Sequence, residues 1–295
     1  GDGVTNGDEI IDGTNPQDPC DYMASSASGP MSAAWDLLDC DGDGDPNGTD
    51  PDPQDGCVVT AGVLPTDPMN PGSPEQAAFD AWAALDCDGD GETNGTELGN
   101  GTDPYDPCDV TTAIIPDPAD PNYDVWAAAD CDGDGESNGT EVDNGTDPYD
   151  PCDVTIATIP DPADPNYDVW AAADCDGDGE TNGEEASNGT DPFDACSNTN
   201  ATVPVDPMNP GSPEQTAYDI WAASDCDGDG VTNGQEVADG SDPFDPCSYE
   251  IASQDITMVT TAWNDLDCDG DADIVSASEM GMLISVLYND DGDFS

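Results

Sequence analysis

The 295-residue sequence predicts an elongated tandem array of small units, mostly loop with short helices and short strands. Three observations carry this. The string Asp-Cys-Asp-Gly-Asp opens at Asp39, Asp86, Asp130, Asp174, Asp225 and Asp267, at spacings of 47, 44, 44, 51 and 42 residues. Self-similarity at periods of this size marks repeat architectures. Twelve cysteines are spread evenly along the chain, and 32 Gly with 27 Pro leave only 4 Phe, 6 Trp and 8 Tyr. That is too little apolar bulk for one large core, so cross-links and bound ions must replace much of the burial.

The charge points the same way. There are 69 acidic residues and no Lys, Arg or His, a formal charge of −69. Nothing in the chain can neutralise a phosphate, which excludes nucleic-acid binding and docking on an anionic membrane surface. No apolar run approaches a membrane span. Salt bridges between side chains are impossible, so a compact state needs counter-cations, and divalent ions are the obvious supply. Composition alone also suits a disordered chain. The regular cysteine spacing and the placed tryptophans argue against disorder.

The repeats divide the chain at 1–20, 21–57, 58–108, 109–152, 153–196, 197–247 and 248–295. Segment 1–20 is a partial repeat, because GDGVTNGDE at 1–9 matches GDGVTNGQE at 228–236. The chain opens at Gly1 rather than Met, which fits a processed product or an excerpt. Within a repeat, an alternating β-branched run comes first. DVTTAII at 109–115 and DVTIATI at 153–159 predict short strands. A helix follows. Ser73-Pro74-Glu75-Gln76 and Ser212-Pro213-Glu214-Gln215 read as capping boxes with Pro at the first helical position. Asp120-Pro121 and Asp164-Pro165 start the equivalent helices more simply. Phe79 and Trp82, Tyr123 and Trp126, Tyr167 and Trp170, and Tyr218 and Trp221 share a helical face, with Trp35 and Trp263 at comparable places. This aromatic stripe reads as a mini-core more readily than as a sugar-stacking platform. Gly99, Gly101 and Pro104 then predict a turn rather than a helix on the way to the closing Cys. The last segment differs: MGMLISVLY at 280–288 predicts an apolar helix.

The acidic strings have the spacing of a twelve-residue cation loop. From Asp86, positions 1, 3 and 5 are Asp86, Asp88 and Asp90, position 6 is Gly91, position 7 Glu92, position 9 Asn94 and position 12 Glu97. Alternate carboxylates turn inward around a hard cation that takes six to eight oxygens, Gly at 6 permits the bend, position 7 offers its carbonyl, and Glu at 12 closes with two oxygens. The same set recurs as Asp130, Asp132, Asp134, Glu136, Asn138 and Glu141. It recurs again as Asp174, Asp176, Asp178, Glu180, Asn182 and Glu185, and as Asp225, Asp227, Asp229, Val231, Asn233 and Glu236. Three loops deviate. Asp39, Asp41 and Asp43 close on Asp50, one methylene shorter. Asp267, Asp269, Asp271 and Asp273 lack the position-6 Gly, with Ala272 there and Ser278 at position 12, although Glu279 is adjacent. The first loop keeps only Asp2, Asn6 and Glu9. Calcium, about one per loop, is the expected ion, since magnesium's small octahedral shell suits so many ligands poorly.

The stretch DCDGDGETNGTELGNGTDPYDPC resembles bacterial thrombospondin type 3-like repeats. The loop alone resembles the EF-hand and, more distantly, dockerin. The likeness covers the loops and their Gly-Thr-Asp-Pro tails, about half the chain, and leaves the tryptophan inserts outside. It implies calcium-dependent spacers or stalks of secreted and surface proteins.

Several questions stay open in the sequence. The tail acids Asp103, Asp147, Asp191 and Asp242 either supply a second calcium per repeat or cap the turn before Pro. Cysteines pair either inside each acidic module, as in Cys87–Cys108, or across each insert, as in Cys20–Cys40, Cys57–Cys87 and Cys108–Cys131. The second scheme uses all twelve and is preferred. Seven Asn-x-Thr sequons occur, and Asn100, Asn144, Asn188 and Asn200 are the ones outside the loops. The incomplete first loop and the ligand-rich end at 289–295 suggest copies joined head to tail, truncation of a longer stalk being the plain alternative. The sequence therefore points to an extracellular calcium-binding structural repeat protein, either a rigid surface stalk or a filament subunit. A calcium-dependent adhesin that grips glycans is the alternative. An enzyme is not expected, because every acidic cluster is repeated and the usual bases are missing.

Overall fold

The computed structural model describes residues 1–60 and 62–248, together with the backbone of four short strands beyond them. It falls into two compact units, Gly1–Ile156 and Ala157–Ser295. The first holds α1 (Asn6–Asp12), a 3-10 turn (Ala24–Ser26), α2 (Pro74–Trp82), α3 (Asn94–Asn100), α4 (Tyr123–Ala128) and α5 (Asn138–Asn144). The second holds α6 (Tyr167–Ala172), α7 (Asn182–Asn188), α8 (Pro213–Ala223), α9 (Asn233–Asp239) and strands β1 (Ile274–Ala277), β2 (Ile284–Leu287), β3 (Asn289–Asp290) and β4 (Asp293–Phe294). Tandem repetition of short helices in a mostly irregular chain is thus the architecture.

A repeat is a pair of short helices around one tryptophan. α2 packs on α3, α4 on α5, α6 on α7 and α8 on α9. Trp82, Trp126, Trp170 and Trp221 are fully buried, each beside an aromatic three residues earlier, with ring centroids 5.5–5.7 Å apart. Trp35 fills the same role without a helix, against Tyr22. Burying one indole contributes several kcal/mol, which helices of six to eleven residues need, because isolated helices this short are unstable in water.

Local chemistry sets the helix ends. Ser73 and Ser212 accept the Gln76 and Gln215 backbone N–H groups, as expected. The glutamine side chains reach elsewhere. Gln76 Oε1 accepts the Asn70 N–H and Gln215 Oε1 the Asn209 N–H, pinning the preceding turn. In the four full loops a helix forms where a turn was expected, starting at Asn94, Asn138, Asn182 and Asn233. α3 runs through Gly99 and ends at Gly101, whose φ of 89° is the left-handed cap, and whose N–H bonds the Glu97 carbonyl. α3 holds two glycines, Gly95 and Gly99, each costing about 1 kcal/mol, and the left-handed cap at Gly101 offsets part of that by closing its last turn.

Two other expectations are corrected. Segments 109–115 and 153–159 are not strands. No second strand lies beside them, and they are held instead by side-chain bonds to the preceding loop. The apolar stretch 280–288 contains strand β2, paired antiparallel with β1 from Ile274↔Leu287 to Ala277↔Ile284, rather than a helix. Its β-branched Ile284 and Val286 favour extended backbone. Trp263 and the loop at 267–273 lie outside the described residues.

Disulfides Cys20–Cys40, Cys57–Cys87, Cys108–Cys131 and Cys196–Cys226 join residues 20 to 30 apart. These follow the scheme across the insert, and Cys152, Cys175 and Cys247 are bonded as well. Each of the four closes a loop that contains a tryptophan and ties its end to an acidic loop. Closure of this length stabilises by about 3 kcal/mol.

Candidate metal centre

Loop 86–97 shows how the backbone aims its acids. Asp86 Oδ1 accepts the Gly89 N–H at 2.8 Å and Oδ2 the Gly91 N–H at 3.0 Å, which curls the chain around the first carboxylate. Asp88 Oδ1 accepts the Asp90 N–H at 3.3 Å, and Asp90 Oδ1 the Glu92 N–H at 2.7 Å. One oxygen of each is so fixed, and the other is aimed. Asp88 Oδ2, Asp90 Oδ2 and both carboxylate oxygens of Glu97 are buried without any hydrogen-bond partner. The loops from Asp130, Asp174 and Asp225 repeat this arrangement, including the same orphaned oxygens on Asp132, Asp134 and Glu141, on Asp176, Asp178 and Glu185, and on Asp227, Asp229 and Glu236. Each Asp triad, and that of Asp39, Asp41 and Asp43, brings one oxygen per residue within 4.8 Å of the others.

The electrostatics express the same conflict. Burial first, and then Asp88 and Asp90, push the Glu97 carboxyl up to about 9. Glu141 likewise rises to about 9, Glu185 to about 8 and Glu236 to about 7. Burial lifts Asp88 to about 7 and Asp132 to about 8, with Asp90 and Asp134 adding to it. Converging acceptors with no donor among them suit a cation and nothing neutral. All-oxygen ligands with a two-oxygen closing glutamate suit a hard, flexibly coordinated ion such as calcium.

Position 9 departs from the expected ligand set. Asn94 Oδ1 accepts the Cys87 N–H at 3.1 Å, while Nδ2 donates to the Trp82 carbonyl and to Cys87 Sγ, both at 3.1 Å. Asn138, Asn182 and Asn233 do the same with Cys131 and Trp126, Cys175 and Trp170, and Cys226 and Trp221. These asparagines, wholly buried, pin the loop to the tryptophan helix and to a disulfide-bonded cysteine. Asn47 is a fifth example. Asn6 differs and is exposed.

At position 7 one carboxylate oxygen bonds outside the loop. Glu92, Glu136 and Glu180 accept the hydroxyls of Thr111, Thr155 and Thr199 in the following linker. Asp45, which the sequence pattern did not single out, accepts the Thr60 N–H at 2.7 Å. Val231 has no such group. The tail acids take the turn role. Asp103, Asp147, Asp191 and Asp242 each accept the N–H two residues on, at 3.1–3.2 Å, and belong to none of the triads. In the partial first loop Asp2 and Glu9 are buried. In the loop from Asp39, Asp50 Oδ1 accepts the Asp52 N–H and Oδ2 is orphaned. Asp267, Asp269, Asp271 and Asp273 lie outside the described residues.

Segments 1–19, 86–107, 130–151, 174–195 and 225–246 match the family model of the bacterial TSP3 repeat. These segments are similar to bacterial TSP3 repeats. Each ends at the residue before a cysteine, and four of the five begin at position 1 of a loop, so each of those four matched segments is one acid loop, its short helix and its turn. The tryptophan helices α2, α4, α6 and α8 fall between the matched TSP3 segments. No curated protein and no solved structure matches the chain. No helix among the described residues is long and apolar enough to cross a membrane.

Proposed function

We propose that the chain is an extracellular calcium-binding structural protein, a rigid spacer or filament subunit whose repeats are ordered by the ions they hold. The observation that supports this best is the recurrence of the same orphaned oxygens, two from Asp and two from Glu, in four loops in register. Burying at least four unpaired carboxylate oxygens per loop has no compensation within the protein, and a bound divalent cation supplies it. The ligands would be Asp86, Asp88, Asp90 and Glu97, the backbone carbonyl at position 7, and their counterparts in the other loops. Calcium would be bound about once per loop.

The disulfides favour an oxidising compartment outside the cell. A structural role fits sites that are copies of one another, because stability then adds repeat by repeat. An adhesive role needs a singular feature, and the repeated loops offer none.

The test is a calcium titration of the EGTA-stripped chain, followed by far-UV circular dichroism and by native mass. Helix content should rise as ions bind, with at least the four full loops filled. A chain equally ordered in EGTA, with no ion in its mass, would rule the reading out. Non-basic-directed proteases serve as a second probe, since trypsin has no site to cut.

A further inference from the structure

Loop 86–97 is held between two tryptophan helices, its own α2 and the next, α4. On the near side, Asn94 bonds the Trp82 carbonyl, and the Gly95 N–H bonds the Ala83 carbonyl at 3.0 Å. On the far side, the next repeat's helix region sits on the position-4 glycine of the loops from Asp39, Asp86 and Asp174. A β-carbon at Gly89 would lie 2.1 Å from the Asn122 carbonyl oxygen, immediately before α4. Gly42 meets Ala78 of α2 at 2.3 Å, and Gly177 meets Ala217 of α8 at 2.1 Å. Asn122 Nδ2 also donates to the Asp86 carbonyl at 2.6 Å. Asp86 and Gly89 are the residues whose curl sets the loop, through the Gly89 N–H bond to Asp86 Oδ1. From α4 the contacts run on to the next loop, since Asn138 Nδ2 donates to the Trp126 carbonyl at 2.9 Å.

We infer that this joint makes neighbouring metal loops interdependent: occupancy of loop 86–97 positions α4 through Gly89 and Asn122, and α4 in turn preorganises loop 130–141. The inference rests on the calcium reading above. It concerns the helix inserts, which lie between the matched TSP3 segments. The physical basis is continuous. A metal-free loop 86–97, with five unpaired carboxylate oxygens, relaxes the curl at Asp86 to Gly89. That withdraws the seat of α4 and the acceptor of Asn122, and loop 130–141 then loses the support its Asn138 takes from Trp126. Gly89 and Asn122 are positioning residues and touch no ion themselves.

The experiment is hydrogen exchange of the full chain, reading protection of segments 94–100 and 138–144 against free calcium. Glu97→Gln removes the closing carboxylate of the first loop only. It should raise the calcium concentration that half-protects 138–144 by about fivefold or more. In a Gly89→Ala background that displacement should vanish. A Gly101→Ala background should retain it, because Gly101 has a similar φ of 89° with open space around it. If Gly89→Ala does not fold, Asn122→Ala removes the hydrogen bond alone and should shrink the displacement. A Glu97→Gln effect below about twofold on 138–144, or one undiminished in both the Gly89 and Asn122 variants, overturns the inference while leaving calcium binding intact. If neither segment of the parent gains protection with calcium, the functional reading itself has failed and the coupling falls with it.

Discussion

The indole N–H of Trp82 donates to the Tyr105 hydroxyl at 2.9 Å, and the same bond joins Trp126 to Tyr149. Tyr105 then donates to the Gly56 carbonyl at 3.3 Å, and Tyr149 to that of Ile114 at 3.5 Å. The tryptophan core of one repeat is thus tied by a phenol to the chain before it. In the next two repeats the residue 23 positions after the tryptophan is Phe193 or Phe244, and the indole nitrogens of Trp170 and Trp221 are buried with no partner.

This difference predicts a gain and a loss. Phe193→Tyr should stabilise the calcium-loaded chain by about 1 kcal/mol, since it gives a buried donor its acceptor. Tyr105→Phe should destabilise it by about 1–3 kcal/mol, because the Trp82 N–H is then orphaned. Chemical denaturation in saturating calcium reads both. Identical midpoints for both variants and the parent would mean that the indole bond contributes nothing.

The role of position 9 is separable from metal binding. Asn138→Asp keeps an acceptor oxygen for the Cys131 N–H but loses the donors to Trp126 and Cys131 Sγ. If Asn138 were a ligand, the added charge would tighten calcium. As a structural pin, the change should cost about 2–3 kcal/mol and weaken calcium binding at that loop, because it buries an unpaired charge. Denaturation and calcium titration of the same variant decide between the two.

The closing residue grades the loops. Asp50 reaches one methylene less far than Glu97, and one of its oxygens is already bonded to the Asp52 N–H. Loop 39–50 should therefore fill last among the described complete loops. Asp50→Glu should lower the calcium concentration needed to fill it, and Glu141→Gln should remove one ion from the native mass. A full complement of ions on Glu141→Gln would show that Glu141 is not a ligand.

Much of this was legible in the sequence, for definite reasons. The acid triads and Glu at position 12 show because ligand number and spacing are fixed by the ion. The tryptophan helices show through their aromatic pairs and the Ser73 and Ser212 caps. The disulfide pattern was readable as one of two schemes. The bonds of position 9 were not legible because a loop template gives spacing but not side-chain direction, and Asn94 bonds the Trp82 carbonyl and the disulfide-bonded Cys87. The crowding at Gly89 was overlooked because its neighbour, Asn122 before the helix of the next repeat, is more than thirty residues away. One signal was available, since Gly42, Gly89, Gly133, Gly177 and Gly228 recur as regularly as the acids. The strands expected at 109–115 and 153–159 had the right propensity but no pairing partner, and β-propensity expresses packing more than backbone preference.

Acid and calcium should act as substitutes. In the metal-free chain the folded values of Glu97 and Glu141 stand near 9 and that of Asp132 near 8, all raised, chiefly by burial. A raised carboxyl holds in the folded state a proton that the unfolded chain releases. The fold is therefore favoured fully below the ordinary carboxylate range of about 4, and this advantage is lost as pH rises through the window from there to about 9. EGTA-treated protein should accordingly melt higher at pH 5 than at pH 8. Calcium reverses the order, because the ion competes with those protons. Its affinity should rise with pH across the same window, and binding at pH 7 should release protons into the buffer. Calorimetry in two buffers of different ionisation enthalpy counts them. No proton release, together with a metal-free melting temperature indifferent to pH, would show that the loop carboxylates are open to water and bear no ion-sized strain.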